Sequence, residues 1–281
     1  MMEITDIIKK RVSCRTYSDK PVEESILREF SELVAADHKG LFGNQPNFRL
    51  ISMNTIEPRE GKKLGTYGVI KNARLFLVGT IKNGDEAMED YGYCKEKLIL
   101  QATKLGLGTC WLGGTFNGSG FARAVGLRSD EVLPTVSPVG YPADQKSFTE
   151  RVMRRFAGSD NRQPWRELFF AGNFSTPLNE QSAGKYAEAL ENVRLAPSAA
   201  NKQPWRLLYD GGRNIFHFYL ARSFGYKHLW EVSLQDIDLG IAMSHFELTV
   251  DEQGISGQWQ QDDNAPQEKS LNYIASWQES V

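Results

Sequence analysis

Asn44-Gln45-Pro46-Asn47-Phe48-Arg49-Leu50 returns later in the chain as Asn201-Lys202-Gln203-Pro204-Trp205-Arg206-Leu207. The two stretches share an asparagine, a Gln-Pro pair, an aromatic residue and Arg-Leu in the same order. A second pair of anchors follows the first: Gly106-Leu107-Gly108-Thr109-Cys110-Trp111 is echoed by Gly254-Ile255-Ser256-Gly257-Gln258-Trp259, with glycine and tryptophan at equal separation. Two anchors repeated once, at a period far above the roughly 20 to 50 residues of stacked arrays, indicate a duplicated domain rather than a solenoid. Each glycine anchor follows an apolar three- and four-residue periodicity, Tyr93 to Leu105 and Ile237 to Glu252, and reads as the stop of that helix.

The same reading extends outward. Glu3 to Lys10 is expected to be a short amphipathic helix, and Pro21 to Ala36 a second one with proline in its first turn. Phe48 to Met53, Leu75 to Thr80, Val132 to Val139, Trp205 to Tyr209 and Ile215 to Leu220 read as strands. Turn residues at Gly158-Ser159-Asp160-Asn161 and Asn173-Phe174-Ser175-Thr176-Pro177 bracket an apolar patch. The boundary is placed there, giving halves 1–168 and 169–281. The polar stretch Gln260 to Gln267 is expected to lead to a short terminal helix.

The 281 residues are 41% hydrophobic, without a low-complexity tract, enough for one large or two modest cores. A formal net charge of -2, with both signs interspersed, gives no field to attract nucleic acid or a membrane surface. The longest apolar run, around Leu75 to Ile81, is far short of a membrane span, and Met1 to Arg11 contains acidic residues where a signal peptide is apolar. A cytoplasmic address is the expectation. Cys14, Cys94 and Cys110 show neither CxxC nor Cys/His spacing, so no disulfide framework or metal site is expected.

Two stretches could carry chemistry. Arg11-Val12-Ser13-Cys14-Arg15 sets two permanently charged forks around a hydroxyl near a helix end, a combination suited to a terminal phosphate. Taken alone, two arginines at helical spacing usually mark a solvated face. Leu195 to Trp205 is a loop of small residues with two carboxamides, Asn201 and Gln203. Small residues let a flat ring approach the backbone, and carboxamides donate and accept at once, as the edge of a heteroaromatic ring requires. Read alone, it is also a turn before a strand.

Together, the RxSxR start, the APSxxNxQPW loop and the LGLGxCWxGG stretch resemble the flavin-dependent nitroreductase family, in its branch of putative TM nitroreductases, where two subunits are fused in one chain. The resemblance implies an α+β three-layer sandwich with a mainly antiparallel sheet, built as two fused repeats that form a pseudo-dimer. It implies flavin mononucleotide (FMN) at the interface of the halves. Arg11, Ser13 and Arg15, with the backbone at Val12, would take the phosphate, aided by Arg162. The family's usual lysine two residues before Arg162 is Asp160 here. Pro197, Ser198, Ala199 and Asn201 would line the ring and ribityl chain, and Gln203 would be structural. Leu112, Gly113 and Gly114 would present backbone to the N5 edge, where a side chain would block access. Lys71 is the candidate for the pyrimidine edge. His245 reads as a satisfied core histidine, and Trp111, Trp205 and Trp259 as core anchors.

The copies have diverged. The first half has Asp37-His38-Lys39-Gly40 where the small loop would be. Aligning Pro21 with Pro177 puts Glu167, Phe169 and Ala171 opposite the clamp, and these cannot hold a phosphate. One flavin site per chain is expected, in a monomer. The resemblance implies ping-pong hydride transfer from NAD(P)H to a nitroaromatic or quinone-like acceptor, without a protein nucleophile. A non-catalytic flavin-binding protein is the alternative from another class, and a flavin-free scaffold a third. No GxGxxG follows a strand and no GxxxxGK[ST] is present, which leaves the commoner nucleotide folds unsupported.

Overall fold

A computed structural model describes residues 2–53, 70–114, 116, 118–144, 161–223 and 232–280. In chain order the first part holds α1 (Ile4–Lys10), α2 (Glu24–Ala35), β1 (Asn47–Ser52), β2 (Leu75–Lys82), α3 (Ala87–Lys104), β3 (Gly108–Thr109), α4 (Gly118–Val125), β4 (Glu131–Val132) and β5 (Val136–Gly140). The second holds α5 (Trp165–Leu168), β6 (Phe169–Ala171), β7 (Asn173–Pro177), α6 (Glu180–Ala183), α7 (Ala187–Leu195), β8 (Trp205–Asp210), β9 (Ile215–Leu220), α8 (Leu234–Glu252), β10 (Gly257–Gln260) and β11 (Asn272–Glu279).

The two sheets share one plan. The first runs β1-β2-β5-β3, with β4 on the far end of β2, and the second contains β8-β9-β11-β10. All of these pairings are antiparallel. The second sheet continues past β8 into β6, which pairs with it in parallel, and β7. Both glycine stops form the same cap: Gly106 and Gly254 have φ of 79° and 72°. Leu107 N–H reaches Ala102 O and Ile255 N–H reaches Val250 O, each at 2.8 Å. The left-handed turn that lets these bonds form favours glycine, which explains the repeat at these positions.

The duplication extends to the centre of the molecule, where α3 crosses α8. A Cβ on Gly92 would lie 2.1 Å from Ile237 O, and one on Gly240 would lie 1.9 Å from Glu89 O. Each glycine thus meets the carbonyl three residues ahead of the other, the reciprocity of a twofold axis. Only hydrogen at these two positions lets the backbones touch. A continuous core joins Phe48, Tyr91 and Ile99 of the first part to Trp205, Phe218, Phe246 and Trp277 of the second. The halves are therefore one hydrophobic unit.

Four expectations are corrected. The second helix starts at Glu24, not in a turn containing Pro21. The strand expected over Val132 to Val139 is two pieces, both on β2, separated at Leu133-Pro134-Thr135, where proline lacks the ladder N–H. The chain end is β11, between β9 and β10, and not a helix; a bulge between Tyr273 and Ala275 breaks the alternation that marks a strand. Glu167 lies in α5, and Phe169 and Ala171 in β6, which joins its sheet at β8. The clamp segment instead meets its sheet at β3, the counterpart of β10 at the other end. The proline-based alignment therefore pairs unrelated edges. The turn at Gly158-Ser159-Asp160 lies outside the described residues.

Candidate functional site

The clamp leaves α1 as an extended segment. Arg11 N–H caps the helix on Ile7 O. Cys14 N–H then bonds Thr109 O at 2.8 Å, Lys71 N–H bonds Arg15 O at 2.9 Å, and Tyr17 N–H returns to Lys71 O at 3.0 Å. This fixes the clamp against the sheet edge and brings Lys71 beside it. The side chains themselves remain unsatisfied. Neither Arg11 nor Arg15 donates a hydrogen bond to any described residue, although the Nε of each is buried, and the Ser13 hydroxyl also lacks a bond there. A buried donor without an acceptor costs about 1–3 kcal/mol. Two such guanidinium groups around a hydroxyl fit an anion with several oxygens.

The second element follows β3. Leu112 exchanges both backbone bonds with Val136 at 3.0 Å, so its N–H is used within the sheet. The N–H groups of Gly113 and Gly114 bond no described residue. Gly113 faces the start of α8: a Cβ there would sit 2.7 Å from the Leu234 side chain.

The third element is the loop after α7. Ala200, Asn201 and Gln203 are left-handed, with φ of 47°, 55° and 50°. Non-glycine residues adopt this conformation at a cost offset by surrounding bonds. Ala199 N–H donates to both oxygens of Asp238 at 3.0 Å. Gln203 N–H donates to Ser198 Oγ at 2.9 Å, and Gln163 N–H to Gln203 Oε1 at 2.9 Å. Arg162 reaches Asn201 Oδ1 at 2.7 Å and Leu195 O at 3.0 Å. Asn201 also donates to Asn161 O. The Asn201 carboxamide thus bonds within the loop, and Arg162 braces it. Gln203 is buried and bonds within the loop. Pro197, Ser198, Ala199 and Ala200 form the small, shaped surface.

Contacts between helices bring these elements together. Ile7 and Ile8, just before the clamp, share a cluster with Leu100, Leu195 and Leu248, and Asn192 Nδ2 donates to Thr5 Oγ1 at 2.7 Å. The helix before the clamp therefore sits on the helix before the loop. Glu96, fully buried on α3, links the other pair: its Oε2 accepts Trp111 Nε1–H at 2.8 Å and its Oε1 lies 3.8 Å from Arg11 Nε. His245 is buried and satisfied, as expected, between Glu96 Oε1 (3.0 Å) and Asn192 O (2.8 Å).

Sequence reading missed three residues. Lys95 is fully buried, with Nζ donating to Thr135 Oγ1 at 2.7 Å and lying 4.7 Å from the Trp111 ring centre. Burial holds it well below the usual lysine range. Glu96 was missed for the same reason: a charged pair inside a helix reads as a solvated face. Asp238 was legible. It stands two residues before Gly240 as Asp90 stands two before Gly92, and both glycines lie fourteen residues ahead of the helix stops (92 to 106, 240 to 254). The duplicates do the same work. Asp90 accepts Phe42 N–H at 3.0 Å and Asn44 N–H at 2.9 Å, holding the first half's loop as Asp238 holds the second's. That first loop is closed onto α3, for a Cβ on Gly40 would strike the Asp90 carboxyl. Burial holds both aspartates above the usual carboxylate range, Asp238 by a wide margin.

Two copies of one α+β plan in a single chain, joined in one core, define a nitroreductase-like fold. Residues 3–250 match the model of the family described as Putative TM nitroreductase. The chain belongs to that family. A putative nitroreductase of Thermotoga maritima is 20% identical, with a TM-score of 0.60 over 99% of this chain and 93% of that one. Its likeness establishes the nitroreductase-like fold along the whole length. An FMN-dependent nitroreductase of Clostridium difficile (20% identity, TM-score 0.40) covers 50% of this chain and 88% of its own. A nitroreductase with bound FMN from Bacteroides fragilis (18%, 0.39) covers 53% and 92%. No curated protein matches the sequence. Among the described residues no helix is long and apolar enough to cross a membrane.

Proposed function

We propose that the chain is an FMN-dependent NAD(P)H oxidoreductase acting on nitroaromatic or quinone-like acceptors, with one flavin site between its halves 1–168 and 169–281. The observation that carries this reading is the clamp. Arg11, Ser13 and Arg15 are fixed by a backbone ladder, and their side chains donate no hydrogen bond to any described residue, Arg11 having only Glu96 at 3.8 Å. In family context that vacancy of partners fits a phosphate monoester, which accepts from both forks. The N–H groups of Gly113 and Gly114 offer donors without a side chain in the way. Pro197, Ser198, Ala199 and Ala200 present the flat small-residue wall, and Arg162 and Asp238 hold it in shape. Lys71 adds positive charge next to the clamp. A bound flavin would supply the hydride chemistry between NAD(P)H and the acceptor. The protein orients and shields, which requires no nucleophile of its own.

The fused halves share one core, so a cytoplasmic monomer is part of the same proposal. A concentration-independent mass near twice that of one chain would count against it. The deciding experiment is reconstitution with FMN, desalting and visible absorption, with the bound flavin counted per chain. One flavin per chain, lost in Arg15→Ala and bleached by NADH or NADPH under nitrogen, is the expected result. Flavin that binds but is not bleached by either nucleotide makes this a flavin-binding protein and not a reductase. No bound flavin overturns the site.

A further inference from the structure

Glu96, His245 and Arg11 meet in a buried position whose proton count is set by the hydrogen bonds. His245 Nδ1 faces the carbonyl of Asn192, which can only accept, so Nδ1 carries a hydrogen. Its Nε2 faces Glu96 Oε1 at 3.0 Å, and two bare acceptors do not meet at that distance in a buried site. One proton therefore lies between them. Whichever atom holds it, the pair carries no net charge. Glu96 Oε2 is already occupied by Trp111 Nε1–H. Arg11 Nε stands at 3.8 Å, too far for a hydrogen bond, and is otherwise unpartnered.

We propose that His245 is a positioning residue for the anion clamp: by sharing a proton with Glu96 it keeps that carboxylate from capturing Arg11, which leaves the guanidinium directed at the ligand's phosphate. The inference rests on the flavin reading of the site. Without the shared proton, an ionised carboxylate in a low-dielectric pocket would draw in a neighbouring cation; Lys95 is already held by Thr135, which leaves Arg11 at 3.8 Å. Arg11 would close the gap and become an internal ion pair, with its charge withdrawn from the phosphate. The same carboxylate anchors Trp111, so the clamp and the Gly113-Gly114 turn share one support.

Substitutions separate this role from simple core filling. His245→Phe fills the space and removes the hydrogen-bond partner of Glu96 Oε1. Glu96→Gln keeps shape and neutrality, because its carboxamide can accept from Trp111 and donate to a neutral imidazole. FMN and riboflavin, which lacks the phosphate, are titrated by fluorescence into the apo forms of wild type, H245F, E96Q and the double variant, after thermal melts establish which are folded. E96Q is expected within about threefold of wild type for FMN. H245F is expected to lose tenfold or more for FMN with riboflavin changed less than about threefold, and the double variant to recover to within about threefold of E96Q. The idea is overturned if H245F binds FMN like wild type, if it loses FMN and riboflavin equally, or if the double variant stays as weak as H245F. Should H245F not fold, E96Q decides: a folded E96Q that loses FMN tenfold overturns it. If wild type binds riboflavin and FMN equally, the phosphate clamp fails with it; if it binds neither, the flavin reading itself falls.

Discussion

Gly240→Ala tests the crossing on which the two halves depend. In a helix interior this change ordinarily stabilises by about 1 kcal/mol, because alanine has the higher helix propensity. Here the new methyl would sit 1.9 Å from Glu89 O and 2.8 Å from Glu89 C, so reaching even 3.0 Å requires the helices to part by about 1 Å. The obstacle is backbone, which no rotamer change relieves. Overpacking of this kind costs roughly 1–3 kcal/mol, and separation of α3 from α8 also forfeits dispersion contacts on both, which places the cost near the upper end. The net effect is a loss of about 2 kcal/mol. For a chain of this size that lowers the melting temperature by roughly 4–8 °C. Thermal unfolding followed by circular dichroism, without flavin, measures it. Gly92→Ala should behave alike, and the double variant should cost less than the sum, since one parting accommodates both methyls. A G240A protein as stable as wild type, or more so, would refute the reasoning, because the sign itself is opposite to the ordinary glycine effect.

Burial, with Asp236 nearby, pushes the Glu89 carboxyl up to about 8 from a usual 4.5. The folded state therefore holds this proton more tightly than the unfolded chain. Its contribution is fully present below pH 4.5 and is lost as pH rises towards 8, by an amount on the order of 5 kcal/mol at most. Glu89→Gln should flatten that decline between pH 5 and 8.5 in thermal melts; an unchanged slope would sink the assignment. Asp238→Ala strands Ala199 N–H at a cost of about 2 kcal/mol, and should expose residues 197–203 to hydrogen exchange and abolish flavin uptake. Asp90→Ala should cost as much stability while leaving flavin uptake intact, because its loop belongs to the closed half; equal effects of the two on flavin would contradict a single site. Gly113→Val should fold and lose flavin, read by absorption after desalting, whereas full uptake would remove the Gly113 backbone from the site.

What could be read along the chain is what depends on near neighbours. The helix stops at Gly106 and Gly254 are local backbone requirements, so they repeat visibly, and with them the duplication that organises the whole fold. The clamp, the loop and the Gly113-Gly114 turn were recognisable as three short patterns in order. The chain end was misread because the bulge in β11 interrupts its alternation, and what makes it a strand is the pairing on either side of it. The clamp's supposed counterpart was misplaced because a shared proline says nothing about which sheet edge a segment joins. Tertiary structure alone decided how the site is held. Glu96 and His245 stand 149 residues apart and come within 3.0 Å only because two glycines let α3 and α8 touch. In sequence Glu96 is one charge among Lys95 and Lys97. In the fold, burial gives it two hydrogen-bond partners, Trp111 and His245, and no local pattern records a partner that arrives from the other half of the chain.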